Sequence, residues 1–175
     1  MTGVILQPAS GKEAQRHYKN TIEAPVAFSR IQPHVSSSFL EALTLSGVSD
    51  GICVWEAIPG NESKWNRLRK GDVVLFSRDS RFFSKAEVIA KTDSFFLANE
   101  LSESNAKGDM WEFVYFITSP TPINISYKGM NANLGFDPDN NYQGMNVLYE
   151  KRSQQALDLL AVEEASLSTS LPSRP

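Results

Sequence analysis

The sequence predicts an α+β fold: a small β-barrel of about five to six strands with flanking helices. Three observations predict it. Five or six short runs rich in β-branched and aromatic residues fall within about 120 residues, with helix-like segments before, between and after them. The 175-residue length and 41% hydrophobic content suit one domain with one substantial core. Eight of the seventeen Lys and Arg lie between Lys64 and Lys91, in a stretch that also carries Trp65, Phe76, Phe82 and Phe83, as a phosphate-facing rim beside an aromatic pocket would.

Val4-Ile5-Leu6 is a strand candidate ended by Pro8. Ser10 to Glu13 has the spacing of a capping box, followed by Ala14, Tyr18 and Ile22 on one helical face. Residues 26–35 read as irregular. Ser36 to Ser38 cap a second helix carrying Phe39, Leu40 and Leu43, with Gly47 at its end. Gly51 to Ala57 is a buried strand, and Pro59-Gly60-Asn61 a turn. Trp65 and Leu68 mark a short helix that stops at Gly71. Val73 to Phe76 is apolar without alternation, a strand buried on both faces, and Phe82 to Thr92 is its partner across Arg78-Asp79-Ser80-Arg81. Phe95 begins another element. Trp111 to Ile117 is a strand by its aromatic and β-branched content, and Pro120 and Pro122 bend the chain into Ile123 to Tyr127. Residues 128–146, rich in Asn, Gly and Asp, read as loop or short helical turns. Glu150 to Leu167 reads as a helix, and 168–175 as a disordered tail or the start of a linker. The domain is therefore expected over 1–150, with 1–50 as a helical extension packed on it and 151–167 as a closing helix.

Charge and composition narrow the function. The formal net charge is -3, yet residues 61–92 hold eight bases against four acids, and the chain from Asp93 onward holds eleven acids against five bases. Such a basic face on an acidic protein can bind phosphate while the remainder repels it. The single Cys53 excludes an internal disulfide and a cysteine-based zinc site, which points to a reducing cytoplasm. No apolar run approaches the roughly 18 residues of a membrane span, and the N-terminus lacks the pattern of a signal peptide.

No catalytic set assembles. His17 and His34 lie in the N-terminal third, Cys53 sits in an apolar run as a buried thiol does, and no nucleotide, metal or nucleophile motif occurs. A binding module without a cofactor is expected. A pocket for an extruded base needs aromatic faces, polar groups for the base edge and a basic rim. The candidates are Trp55, Glu56, Phe76, Ser77 and Phe83 for the pocket, and Lys64, Arg67, Arg69, Lys70, Arg78, Arg81 and Lys85 for the nucleic-acid backbone.

Several segments together resemble a known family: Val54-Trp55-Glu56-Ala57-Ile58-Pro59-Gly60, Lys64-Trp65, Gly71 to Phe76, Phe83 to Val88, Leu97 to Leu101, Trp111 to Ile117 and Tyr142 to Leu148. In order and spacing they resemble the EVE domain, a member of the PUA-like superfamily related to the YTH domain. Val4 to Pro8 and Thr21 to Val26 are similar to the variant at the start of modification-dependent restriction proteins. The resemblance covers the chain to about Glu150. It implies a prokaryotic reader of duplex DNA that flips a modified base into an aromatic cage, with Trp55 as the first cage residue and a nuclease or motor domain C-terminal to it. One departure stands out: the family often has a tryptophan directly after the Leu97 to Leu101 segment, and here that place is Ser102. Ser102 is accordingly a pocket candidate. An opening on that side favours 5-methylcytosine or 5-hydroxymethylcytosine, with N6-methyladenine as the alternative; an RNA-binding PUA-like module is the other reading.

Overall fold

The chain begins as a buried strand, β1 (Val4–Pro8), in a computed structural model that describes residues 1–101 and 112–169. Helix α1 (Lys12–Tyr18) follows and runs directly into a π-helical turn, Lys19–Glu23. The capping box does not form: Gly11 is the N-cap and makes no side-chain bond, while the Gln15 side chain donates to the Ser10 carbonyl at 2.6 Å. Ala14, Tyr18 and Ile22 nevertheless share the inward face. Residues 26–35 are more regular than their sequence suggests. They form β2 (Val26–Ala27), α2 (Phe28–Ile31) and a 3-10 turn, because Val26 pairs with Ile52 and Ile31 is fully buried. Helix α3 (Ser37–Thr44) starts as its sequence predicts, with the Ser36 hydroxyl accepting from the Phe39 amide at 3.2 Å.

Strand β3 (Gly51–Ala57) is buried along its whole length. A short α4 (Glu62–Asn66) leads to Gly71, whose φ of +89° suits glycine in the turn before β4 (Val73–Arg78). Strands β4 and β5 (Arg81–Thr92) meet across Asp79-Ser80, both at positive φ (51° and 59°), the twist that a two-residue hairpin requires. Then come α5 (Phe95–Leu101), β6 (Phe113–Ile117) and β7 (Thr121–Ser126). The Asn- and Gly-rich segment expected as loop contains a helix, α6 (Tyr127–Leu134). It is capped by the Ser126 hydroxyl at one end and by left-handed Gly135 at the other, and it buries Tyr127, Met130 and Leu134. Strand β8 (Asn146–Val147) and the long α7 (Glu150–Thr169) complete the described chain.

Among the described residues, all eight strands belong to one sheet, ordered β2-β3-β6-β5-β4-β1-β8, with β7 also on β5. Six of them have five residues or more, as the sequence predicts. Strands β6 and β7 pair in turn with 92–88 and 85–81 of β5, and register shifts at Phe82/Ser84 and Val88/Ala90 mark irregularities there. Bulges of this kind raise local twist and let a sheet curl. Residues 1–50 are not an appendage: β1 lies parallel to β4 and antiparallel to β8, inside the sheet. The curled sheet encloses one apolar cluster, with Ile5, Cys53, Trp55, Val74, Phe76, Ala86, Val88, Tyr115, Ile117 and Val147 from its strands. Its outer face is covered twice, by α6 and α7 over Val4, Leu6, Leu75 and Phe82, and by α2, α3 and α5 over Ile52, Val54, Val114 and Phe116.

Candidate nucleic-acid interface

Alternation along β3 sends Cys53, Trp55 and Ala57 inward. Trp55 is 4% exposed. Its ring meets His17 at 4.9 Å, Phe76 at 5.3 Å and Tyr18 at 6.3 Å, all edge-on, the geometry in which the positive rim of one ring faces the negative face of another. Tyr18 continues the series, with Phe76 at 5.1 Å and Phe83 at 5.2 Å. Phe83 is partly buried and carries the Arg78 guanidinium 4.4 Å above its ring. A line of aromatic rings thus runs from a surface cation to the innermost tryptophan.

Polar groups are set into this interior. The Tyr18 and Ser84 hydroxyls bond to each other at 2.7 Å, both buried. The Tyr115 hydroxyl donates to Gln7 Oε1 over a long 3.4 Å, and Gln7 Nε2 donates to the Pro8 carbonyl at 3.1 Å. Burial lowers His17 to about 4, helped by the neighbouring Arg16 charge, so His17 is neutral at pH 7. Burial likewise raises Tyr18. The Cys53 thiol donates to the Ile22 carbonyl at 3.4 Å and is pushed up to about 11 by burial, the inert thiol expected of its apolar run.

The strand period separates other candidates. Glu56 and Ser77 follow Trp55 and Phe76 directly in sequence, and neighbours on a strand face opposite ways. Glu56 is buried on the Val54 side of β3. Ser77, fully buried beyond the irregularity after Phe76, accepts from the Tyr127 hydroxyl at 2.8 Å on the α6 side. Neither is placed beside Trp55. Ser102 and Trp111 lie outside the described residues. Trp65 is core: its indole N–H donates to the Val114 carbonyl at 3.2 Å, and Lys91 lies over its ring while donating to the Trp65 and Asn66 carbonyls at 3.0 and 2.8 Å.

The basic rim divides in two. Lys64, Arg67, Arg69 and Lys70 lie on α4 and the turn before β4, whereas Arg78 and Arg81 lie at the hairpin tip, at the other end of β4. Six strand residues put these groups roughly 17–20 Å apart. Arg78 sits on Phe83, Arg81 donates to Asn124 at 2.8 Å, and Lys85 is ion-paired with Glu164 of α7. A cavity of about 300 Å³ lies at that pair, between Val73, Lys85, Glu87 and the Leu157–Leu160 side of α7, on the sheet's outer face. Sequence reasoning missed His17 and Tyr18 as neighbours of Trp55, and Ser84 and Gln7 as the hydrogen-bond partners of Tyr18 and Tyr115. A tyrosine on the apolar face of the first helix was the available signal.

No group of three metal-ligating side chains occurs among the described residues, and none of the described helices is long and apolar enough to cross a membrane. The fold is of the mixed α+β class, as expected from the sequence. It is similar to the N-terminal domain of Thermococcus gammatolerans McrB bound to m5C DNA, with TM-score 0.68 and 17% identity over 92% of this chain and 98% of that one. The Pho92 YTH domain in complex with m6A is also similar, with TM-score 0.52 and 11% identity over 90% of this chain and 85% of that one. No family model matches the sequence, and no curated protein does.

Proposed function

We propose that this chain is a DNA-binding specificity domain that draws a modified base out of duplex DNA into the barrel interior. The observation that carries this reading is the ring series Trp55, Phe76, Tyr18 and Phe83, with hydroxyls and an amide set among the rings. Aromatic faces take a base by stacking, and Tyr18, Ser84 and Gln7 offer donors and acceptors for its edge. The DNA complex of the similarly folded McrB domain supports the partner. The cations of the rim hold the phosphates, which position the duplex without reading it. The chain acts by binding, without catalysis and without a cofactor. Its setting is a modification-dependent restriction protein of the prokaryotic cytoplasm, in which a nuclease or motor domain acts on what this domain finds.

The base favoured is cytosine modified at carbon 5, as 5-methylcytosine or 5-hydroxymethylcytosine. A buried methyl contributes only about 0.8 kcal/mol, so discrimination rests on shape and edge hydrogen bonds. What favours a substituted cytosine is a difference in sequence: serine stands at position 102, where the family often has tryptophan. N6-methyladenine is the second reading, favoured by the likeness to the YTH domain solved with m6A.

Fluorescence polarisation with matched duplexes carrying cytosine, each modified cytosine or N6-methyladenine tests the proposal. Because Trp55 is also core, Trp55→Ala would open a cavity costing about 3–5 kcal/mol; Trp55→Leu removes the stacking face and keeps much of the volume. We expect that variant to lose about 5- to 150-fold in affinity for the modified duplex alone, the worth of one base stacked on an aromatic. Tightest binding to N6-methyladenine exchanges the base and keeps the reader. Preference for single-stranded RNA replaces the partner, and equal binding to every duplex removes the reading.

A further inference from the structure

We propose that Tyr149, with Arg67 stacked on it, is a second nucleotide-stacking platform, outside the barrel, for a residue flanking the extruded base. It rests on the reading of the chain as a DNA-binding domain. The Arg67 guanidinium lies 4.4 Å from the centre of the Tyr149 ring, and Tyr149 is 73% exposed. One ring face is therefore covered by a cation and the rest is open to solvent. An exposed aromatic of this size gains nothing for the core, and a guanidinium held over its ring by cation–π attraction can still turn N–H groups to a phosphate.

Both partners stand on rigid supports, although 82 positions separate Arg67 from Tyr149 in the sequence. The Leu148 amide donates to the Val4 carbonyl at 2.9 Å, and the Tyr149 carbonyl accepts from the Ser153 amide at 2.8 Å. The ring thus sits between a strand and the first turn of α7. Arg67 closes α4, whose Trp65 is anchored in the core and whose last carbonyls are held by Lys91. Met145 and Val147, just before Tyr149, belong to the same interior cluster as Trp55. The platform is therefore built onto the wall that encloses the candidate pocket.

The charge around it is available. Arg69, Lys70 and Lys151 are exposed near these two residues in sequence, and none of them makes an ion pair among the described residues. Glu62 and Glu150 lie in the same two stretches without pairing with them. The hairpin cations differ, since Arg78, Arg81 and Lys85 are each occupied within the fold. The duplex flank consequently runs across the α4 and Tyr149 end.

Binding of modified and unmodified duplexes, titrated across salt concentrations, tests the platform. Tyr149→Ala should weaken the modified duplex by about 5- to 150-fold, leave the unmodified duplex at parental affinity, and keep the salt slope unchanged. Tyr149→Phe should bind like the parent chain. Arg67→Ala should weaken both and lower the slope of log K against log salt by about 0.9, as neutralising one phosphate fewer requires. Parental binding of the modified duplex by Tyr149→Ala, or an equal loss on both duplexes, overturns the platform while Trp55→Leu still reports on the pocket. A parent chain that binds no duplex removes both ideas.

Discussion

Strands β3 and β6 present two faces built from adjacent residues, and the two faces differ in chemistry. Outward, Ile52, Val54, Val114 and Phe116 pack under Leu43, Leu97, Ala98 and Leu101, a layer that is apolar except for the buried Glu56. Inward, Trp55 meets His17 and Tyr18, Tyr18 bonds to Ser84 and Tyr115 to Gln7, a layer of rings interrupted by groups that need hydrogen-bond partners. Glu56 aside, the outer layer is what burial alone selects. The inner one carries polar groups in a low-dielectric space, where an unmet partner costs about 1–3 kcal/mol. The difference teaches that the same strands can serve stability on one side and recognition on the other.

The largest expected effect breaks the outer face. Phe116→Ala removes a fully buried ring and should cost about 3–5 kcal/mol of stability, read by urea unfolding. Below the new midpoint, the ratio of affinities for modified and unmodified duplexes should stay at its parental value. A changed ratio would mean that the two faces are not independent.

Acid sharpens the inner face. His17 is lowered to about 4 in the folded chain, from 6.5, so the unfolded chain takes the proton first. Its contribution is fully present above pH 6.5 and is lost as the pH falls toward 4. At most about 3 kcal/mol is at stake. Urea unfolding of the parent and of His17→Gln at pH 7 and pH 4.5 should show a steeper acid loss for the parent. Parallel losses would mean that His17 is solvated.

The smallest effect separates the two tyrosines. Tyr18→Phe breaks a 2.7 Å bond to Ser84 and should cost about 1 kcal/mol, whereas Tyr115→Phe removes a bond of 3.4 Å and should cost about half as much or less. The reverse order, measured by thermal unfolding, would place the stronger interior bond at Gln7.

Much of this architecture is legible in the sequence alone. Strand β3, the β4–β5 pair with its turn at Asp79-Ser80, the cap at Ser36 and the helix over 150–167 all follow from local pattern. Helix α6 is hidden by its Asn and Gly content, although Ser126, Gly135 and the spacing of Tyr127, Met130 and Leu134 mark it in retrospect. The site is harder, because what touches Trp55 arrives from α1, almost forty positions earlier, through non-local packing. Glu56 and Ser77 show the opposite error: adjacency in sequence means opposite faces on a strand. The rim fails similarly, since pairing in a hairpin sends the residues before β4 and those at the tip to different ends.

The position of β1 has a consequence for how the chain is made. Its outer edge pairs with Val147, and the Val4 amide donates to the Ser153 hydroxyl, 149 positions away. Both partners leave the ribosome well after β4. The first strand can join β4 once residues near 77 have emerged, but its other edge must wait for residues 146–153. The nascent domain therefore carries an open, apolar strand edge until then, the state in which pairing with a second chain competes with folding. Closing such a long loop slows the final step. Delay in translating residues 146–153 should thus favour aggregation of an otherwise stable domain.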